Sequence, residues 1–95
     1  MKRIKVDSIS IAAVGYDHEK KILQVEFARS TGAKGSTIFE YRENGPGADL
    51  GGAYLTMMAP GASIGSVYHK LVRSNPDVKA TKIEAFESPE KGKNP

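Results

Sequence analysis

The run Lys21-Ile22-Leu23-Gln24-Val25-Glu26-Phe27-Ala28-Arg29 alternates apolar and polar residues. Leu23, Val25 and Phe27 point one way, and Gln24 and Glu26 point the other. A period of two is the signature of a half-buried β-strand, because successive side chains leave opposite faces of the pleat. Upstream, Val6 to Tyr16 reads as a second extended run, with Ile9 and Ile11 on one face and Ser8 and Ser10 on the other. Asp17-His18-Glu19-Lys20 lies between them as a short polar turn. Two alternating runs joined by such a turn predict an antiparallel hairpin.

Downstream, Ser30 to Ser36 is a glycine-bearing loop, and Thr37-Ile38-Phe39-Glu40-Tyr41 is a further strand of β-branched and aromatic residues. Asn44-Gly45-Pro46-Gly47 ends regular structure. Asp49 is placed to cap a helix through Met58, with Leu50, Tyr54, Met57 and Met58 on one face. Gly51 and Gly52 weaken that helix by about 1 kcal/mol each relative to alanine. After Ala59-Pro60-Gly61, Ser63 can cap a second helix, whose apolar stripe is Ile64, Val67, Tyr68, Leu71 and Val72. Ser74-Asn75-Pro76 stops it. Val78 to Phe86 reads as a last strand, with Ile83 and Phe86 as its larger apolar residues, and the polar segment from Ser88 to Pro95 as a disordered tail. No internal repeat is present. The expected architecture is α+β, with a three- or four-stranded antiparallel sheet and one or two helices packed on one face. The domain spans residues 1–87, followed by the tail 88–95.

Ninety-five residues suffice for one core, and 39% of them are hydrophobic. A core of this size leaves a narrow stability margin, which oligomerisation commonly widens, so a homo-oligomer is a live option. There is no cysteine. That removes thiolate nucleophiles and sulfur-based zinc sites, and it favours a reducing compartment. Asp7, Ser8 and Ser10 interrupt any apolar region behind the basic start, and no stretch approaches the roughly 20 apolar residues of a membrane span. A cytoplasmic protein without a membrane partner is expected. The net charge of +3 is compatible with an anionic partner.

Catalytic constellations are hard to assemble. His18 lies in a predicted turn and His69 on the polar side of the second helix, neither in a nucleophile-elbow nor a metal-binding spacing. The acidic residues are scattered, and no pair reads as an acid/base couple. No catalytic residue, metal or cofactor is expected. Gly32-Ala33-Lys34-Gly35-Ser36 has the composition of a phosphate loop but joins two strands, whereas a phosphate loop opens a helix. It reads as a mobile hairpin connection, over which Arg29 and Lys34 can close on an anion. Ser63-Ile64-Gly65-Ser66 has two readings. Ser63 is a cap and Gly65 a packing residue, or else the helix start, with the Ser63 and Ser66 hydroxyls, is an anion site. Phe39 and Tyr41 share a strand face flanked by Arg29 and Arg42. Facing outward they would be a stacking platform for bases, facing inward they would be core. Phe39 is assigned to the core, while Tyr41 suits either place.

Ser8, then Ala12-Ala13-Val14-Gly15-Tyr16-Asp17, then Leu23-Gln24-Val25-Glu26-Phe27 resembles the opening of a KTSC domain. That family is named for the C-terminal extension of some lysyl-tRNA synthetases and also occurs as short stand-alone bacterial and phage proteins. Phe39-Glu40-Tyr41 stands in the place of the family's Tyr-x-Tyr motif. Ala53-Tyr54-Leu55, Ser63-Ile64-Gly65, Val67-Tyr68 and Leu71-Val72-Arg73 follow in the family's order. The resemblance covers about Ser8 to Arg73. It departs from the family in Phe39 and in the glycine-rich Glu43 to Gly52 segment, which replaces a Val-Pro. The resemblance implies RNA binding.

The expected function is therefore a non-catalytic binding module for RNA or another phosphate-bearing nucleotide ligand. Its candidate residues are Ser63, Gly65, Ser66, Tyr41, Arg42, Arg29, Lys34, Lys70 and Arg73. The alternative is a phage-type accessory inhibitor that grips a host protein or, as a homo-oligomer, sequesters a small nucleotide signal. In that case the Glu43–Met58 region, including Met57 and Met58, lies at a subunit contact or ligand pocket.

Overall fold

Five antiparallel strands follow one another in the sheet in chain order: β1 (Ile4–Lys5), β2 (Ile11–Asp17), β3 (Ile22–Phe27), β4 (Ser36–Glu43) and β5 (Val78–Phe86). Between β4 and β5 the chain makes α1 (Leu50–Met58) and α2 (Ile64–Tyr68), and α2 runs on into a π-helical turn, His69–Arg73. This is the expected α+β architecture with one or two more strands than the sequence suggested. The computed structural model describes residues 3–6, 8, 10–27 and 36–86. The expected tail, most of the Ser30–Ser36 loop, and Ile9 lie outside the described residues.

The additional strand, β1, lies just upstream of the Val6–Tyr16 run, of which only the part from Ile11 onward is strand. Ile4 pairs with Val14 and Lys5 with Ala13, and the Val6 N–H donates to the Ala12 carbonyl at 3.1 Å. The chain therefore doubles back before Ile11, where the Ile11 N–H donates to the Ser8 hydroxyl at 3.4 Å. The predicted β2–β3 hairpin is present. Its turn is closed by the Asp17 carboxylate, which accepts from the N–H groups of Glu19 (2.9 Å) and Lys20 (3.1 Å). The backbone bond from Lys20 is the main reason that the Asp17 carboxyl is held below its ordinary range.

Register turns the alternation into two chemically different faces. Val14, Val25 and Phe39 stand side by side across β2, β3 and β4, as do Tyr16, Leu23 and Tyr41. These residues meet Leu50, Ala53 and Met57 of α1 and Val72 of the π turn in one core cluster. The opposite face carries a polar ladder. The Arg3 guanidinium donates to Glu26 (3.0 Å) and Gln24 (2.7 Å), the Gln24 amide to Glu40 (2.9 Å), and Arg42 to Glu40 (3.2 Å).

Asp49 caps α1 as expected, accepting from the Gly52 N–H at 2.9 Å, while Glu43 accepts from the Leu50 N–H at 2.9 Å. The loop before α1 is clamped to the start of β5. The Asp77 carboxylate accepts from the Gly47 N–H (2.8 Å), the Asp77 carbonyl from the Asn44 N–H (2.7 Å), and the Gly47 carbonyl from the Asn75 amide (3.0 Å). A Cβ at either Gly45 or Gly47 would run into the Asp77 carboxylate, which explains two of the glycines in this segment. Replacing Asp77 by alanine is expected to cost about 1–2 kcal/mol, because it removes a charged acceptor from a backbone donor. A urea unfolding curve with an unchanged midpoint would contradict that role.

Two readings of the second helix need correction. Ser63 makes no side-chain cap; its hydroxyl donates instead to the Ser66 hydroxyl at 3.1 Å. The apolar stripe also breaks at Leu71, which is 41% exposed, while Val72 is 1% exposed. The cause is the π turn, in which the Ser74 N–H reaches back five residues to the His69 carbonyl at 2.9 Å. The wider turn rotates everything after His69 relative to an α-helical wheel. Among the described residues no helix is long and apolar enough to cross a membrane.

Candidate functional site

Helix α1 lies over β2, β3 and β4, and leaves the β4–β5 side of the same sheet face uncovered. The result is a cleft of about 560 Å³, open to solvent, between that strip of sheet and the α2–π helix. Its floor is Phe39 and Tyr41 of β4 with Val78 and Ala80 of β5. Phe27 and Thr37 close one end, and Tyr68, Val72 and Arg73 form the helical wall.

Four aromatic rings line it in a closed circuit. Phe27 meets Phe39 edge-on at 5.8 Å, and Phe39 lies nearly parallel to Tyr41 at 6.2 Å. Tyr41 meets Tyr68 edge-on at 5.8 Å, and Tyr68 returns to Phe27 at 5.5 Å. Each ring restrains its neighbours, so the cleft is preformed. The hydroxyls of Tyr41 and Tyr68 are hydrogen-bonded at 2.6 Å. Burial, reinforced by that bond, pushes the Tyr41 hydroxyl well above the ordinary tyrosine range, with Arg73 pulling weakly the other way. Tyr41 is therefore a neutral hydroxyl at physiological pH.

The π turn sets the wall. Tyr68 and Arg73 are five residues apart. In a regular α-helix, five steps of about 100° would leave them about 140° apart around the axis. The i→i+5 turn brings position 73 round toward the side of position 68, so the ring and the guanidinium face one cleft. Arg73 is exposed at the rim. Lys82 is also exposed and stands opposite Phe39 in the β4–β5 register, on the cleft side of the sheet. Aromatic faces beside cations can hold a flat, unsaturated group and its anionic substituent.

No protein-family model and no characterised protein matches this sequence.

The structure gathers two of the sequence-predicted residues, Tyr41 and Arg73, into this cleft. Arg42 is next to Tyr41 in the chain but faces the other side of the sheet, where it bonds to Glu40. It cannot flank a platform made by Phe39 and Tyr41. Lys70 lies on the π turn, exposed and away from the cleft lining. Ser63, Gly65 and Ser66 line a separate polar depression of about 350 Å³ with Ser8 and Ser10. A Cβ at Gly65 would meet nothing nearer than the Ser10 hydroxyl at 3.9 Å, so packing there does not demand glycine. Arg29 and Lys34 lie outside the described residues. In the Glu43–Met58 region, Gly47, Asp49, Gly52, Ala53 and Thr56 line a third depression of about 240 Å³ with Leu71 and Asn75. Leu50 and Met57 are core, whereas Met58 is half-buried.

Of the two aromatics of β4, Tyr41, which suited either place, is core, whereas Phe39, assigned to the core, only packs against it. Tyr41 is 4% exposed, and Phe39 is only half-buried. Tyr68, Phe27 and the β5 residues were not among the expected site residues. A signal for Phe27 was available, since it shares the inward face of its strand with Leu23 and Val25. For Tyr68 and β5 there was none, because their place depends on strand order and on the π turn.

Proposed function

We propose that this chain is a cytoplasmic, non-catalytic binding module that takes a nucleotide unit in the aromatic cleft. The base lies against Phe39 and the phosphate toward Arg73. The observation that carries this reading is the preformed aromatic cleft with an exposed guanidinium on its wall. Stacking is tolerant of base identity, and a cation at the rim selects for the phosphate over a neutral aromatic. The lack of cysteine supports the compartment. Kinship with the KTSC domain belongs to the same proposal: Phe39, Tyr41, Tyr68 and Arg73, quoted above as parts of that resemblance, converge on this cleft.

The same chemistry is offered by an RNA strand and by a free nucleotide. Calorimetric titration at low salt with adenosine 5′-monophosphate, adenosine and a short oligouridylate distinguishes them. Adenosine 5′-monophosphate is expected to bind more tightly than adenosine, with affinity falling as salt rises, and less steeply so in Arg73→Ala. A strong preference for the oligonucleotide identifies RNA as the source, and the reverse identifies a free nucleotide. No binding by any of the three at low salt would refute the proposal.

A further inference from the structure

The hydrogen bond between Tyr41 and Tyr68 has a direction that matters for the cleft. Each hydroxyl carries one proton, so only one of the two can donate to the other. Tyr41 is 4% exposed and has no other hydrogen-bond partner among the described residues. If Tyr68 were the donor, the Tyr41 proton would be buried without an acceptor, which is the costlier arrangement. With Tyr41 as donor, only a lone pair of Tyr41 is left unused. The half-buried Tyr68 then keeps its own proton free at the cleft wall, where Arg73 also lies. A hydroxyl that accepts one hydrogen bond is polarised into a better donor of the next.

We infer that the Tyr68 hydroxyl, aimed by Tyr41, and the Arg73 guanidinium form a paired donor site that reads an anionic oxygen of the bound ligand, a phosphate oxygen if the ligand is a nucleotide. This rests on the nucleotide reading of the cleft and adds to it a specificity residue, Tyr68, and a positioning residue, Tyr41. Both donors stand on one helical wall because the π turn brings positions 68 and 73 to the same side. Phe39 and Phe27 lie across from them and offer only ring surface. The ligand is thereby oriented, with its flat part on the sheet and its anionic part against the helix.

Two conservative substitutions separate this from a merely structural tyrosine pair. Tyr41→Phe and Tyr68→Phe delete the same 2.6 Å hydrogen bond. A structural role predicts a larger loss of stability in Tyr68→Phe, which leaves the buried Tyr41 hydroxyl without a partner, but no loss of binding that depends on the ligand's phosphate. The donor-pair role predicts that Tyr68→Phe weakens binding of adenosine 5′-monophosphate roughly tenfold, whereas Tyr41→Phe changes it by less than about threefold, because Tyr68 keeps its proton. Adenosine, lacking the phosphate, should distinguish little between Tyr68→Phe and the unaltered chain. Thermal melts of the two variants give the stability control. Equal losses in both variants, or a loss in Tyr68→Phe that is as large for adenosine as for its phosphate, would overturn the inference. Binding that Phe39→Ala abolishes but Tyr68→Phe leaves untouched would overturn it alone. No binding by the unaltered chain would remove the nucleotide reading and this inference together.

Discussion

Replacing Leu23 by alanine is expected to lower the free energy of unfolding by about 2–5 kcal/mol, a large part of the ~5–15 kcal/mol typical of a whole domain. Leu23 is 0% exposed and sits at the centre of the sheet, with Tyr16 opposite it on β2 and Tyr41 opposite it on β4. It belongs to the cluster that Leu50, Ala53 and Met57 of α1 cover, so truncation opens a cavity where both layers meet. A chain of 95 residues has no second core to compensate. Leu55, on the outer side of α1 and 66% exposed, is the control. Leu55→Ala should stay within about 0.5 kcal/mol of the unaltered protein. Urea unfolding measures both. A cost below about 1 kcal/mol for Leu23→Ala would mean that the sheet–helix interface is not the principal core.

The second large effect concerns binding. Phe39→Ala is expected to weaken nucleotide affinity roughly tenfold or more, since stacking of one base on an aromatic ring is worth about 1–3 kcal/mol. Phe39 is the half-buried ring of the β4 pair, and its removal takes away the part of the floor that a base can reach. Arg42→Ala provides the sharpest comparison. Arg42 is only three positions away in the chain, yet it lies on the opposite face in the ladder with Glu40. Loss of its charge should leave affinity at physiological salt nearly unchanged. If Arg42→Ala weakened binding as much as Phe39→Ala, the polar face would be the binding surface and the cleft would not.

The sheet was legible where alternation was local. Leu23, Val25 and Phe27 declare their face within six residues, and so the β2–β3 hairpin follows from the sequence. Asp49 as a helix cap was legible for the same reason, because its partner is three residues away. The N-terminal hairpin was not. A two-residue strand has too few positions to show a period, and its existence depends on a partner ten residues on, Ile4 with Val14. The fate of Phe39 and Tyr41 depends on a longer range still. Both share one face by alternation, but what covers each is set by α1 and by β5, which arrive from later in the chain. Ser63 illustrates the opposite hazard. Its local sequence suits a cap, but its hydroxyl is occupied by Ser66. Leu71 was misplaced by the assumption of a regular helix, which a single π turn defeats.

The cleft is the centre of this account, and amide and side-chain NMR shifts on titration with adenosine 5′-monophosphate map it directly. The largest, saturable shifts are expected on Phe27, Phe39, Tyr41, Tyr68 and Arg73, with Ser63–Ser66 and Arg42 nearly still. Saturable shifts concentrated at Ser63–Ser66, or on Gln24, Glu40 and Arg42 of the opposite face, would contradict it.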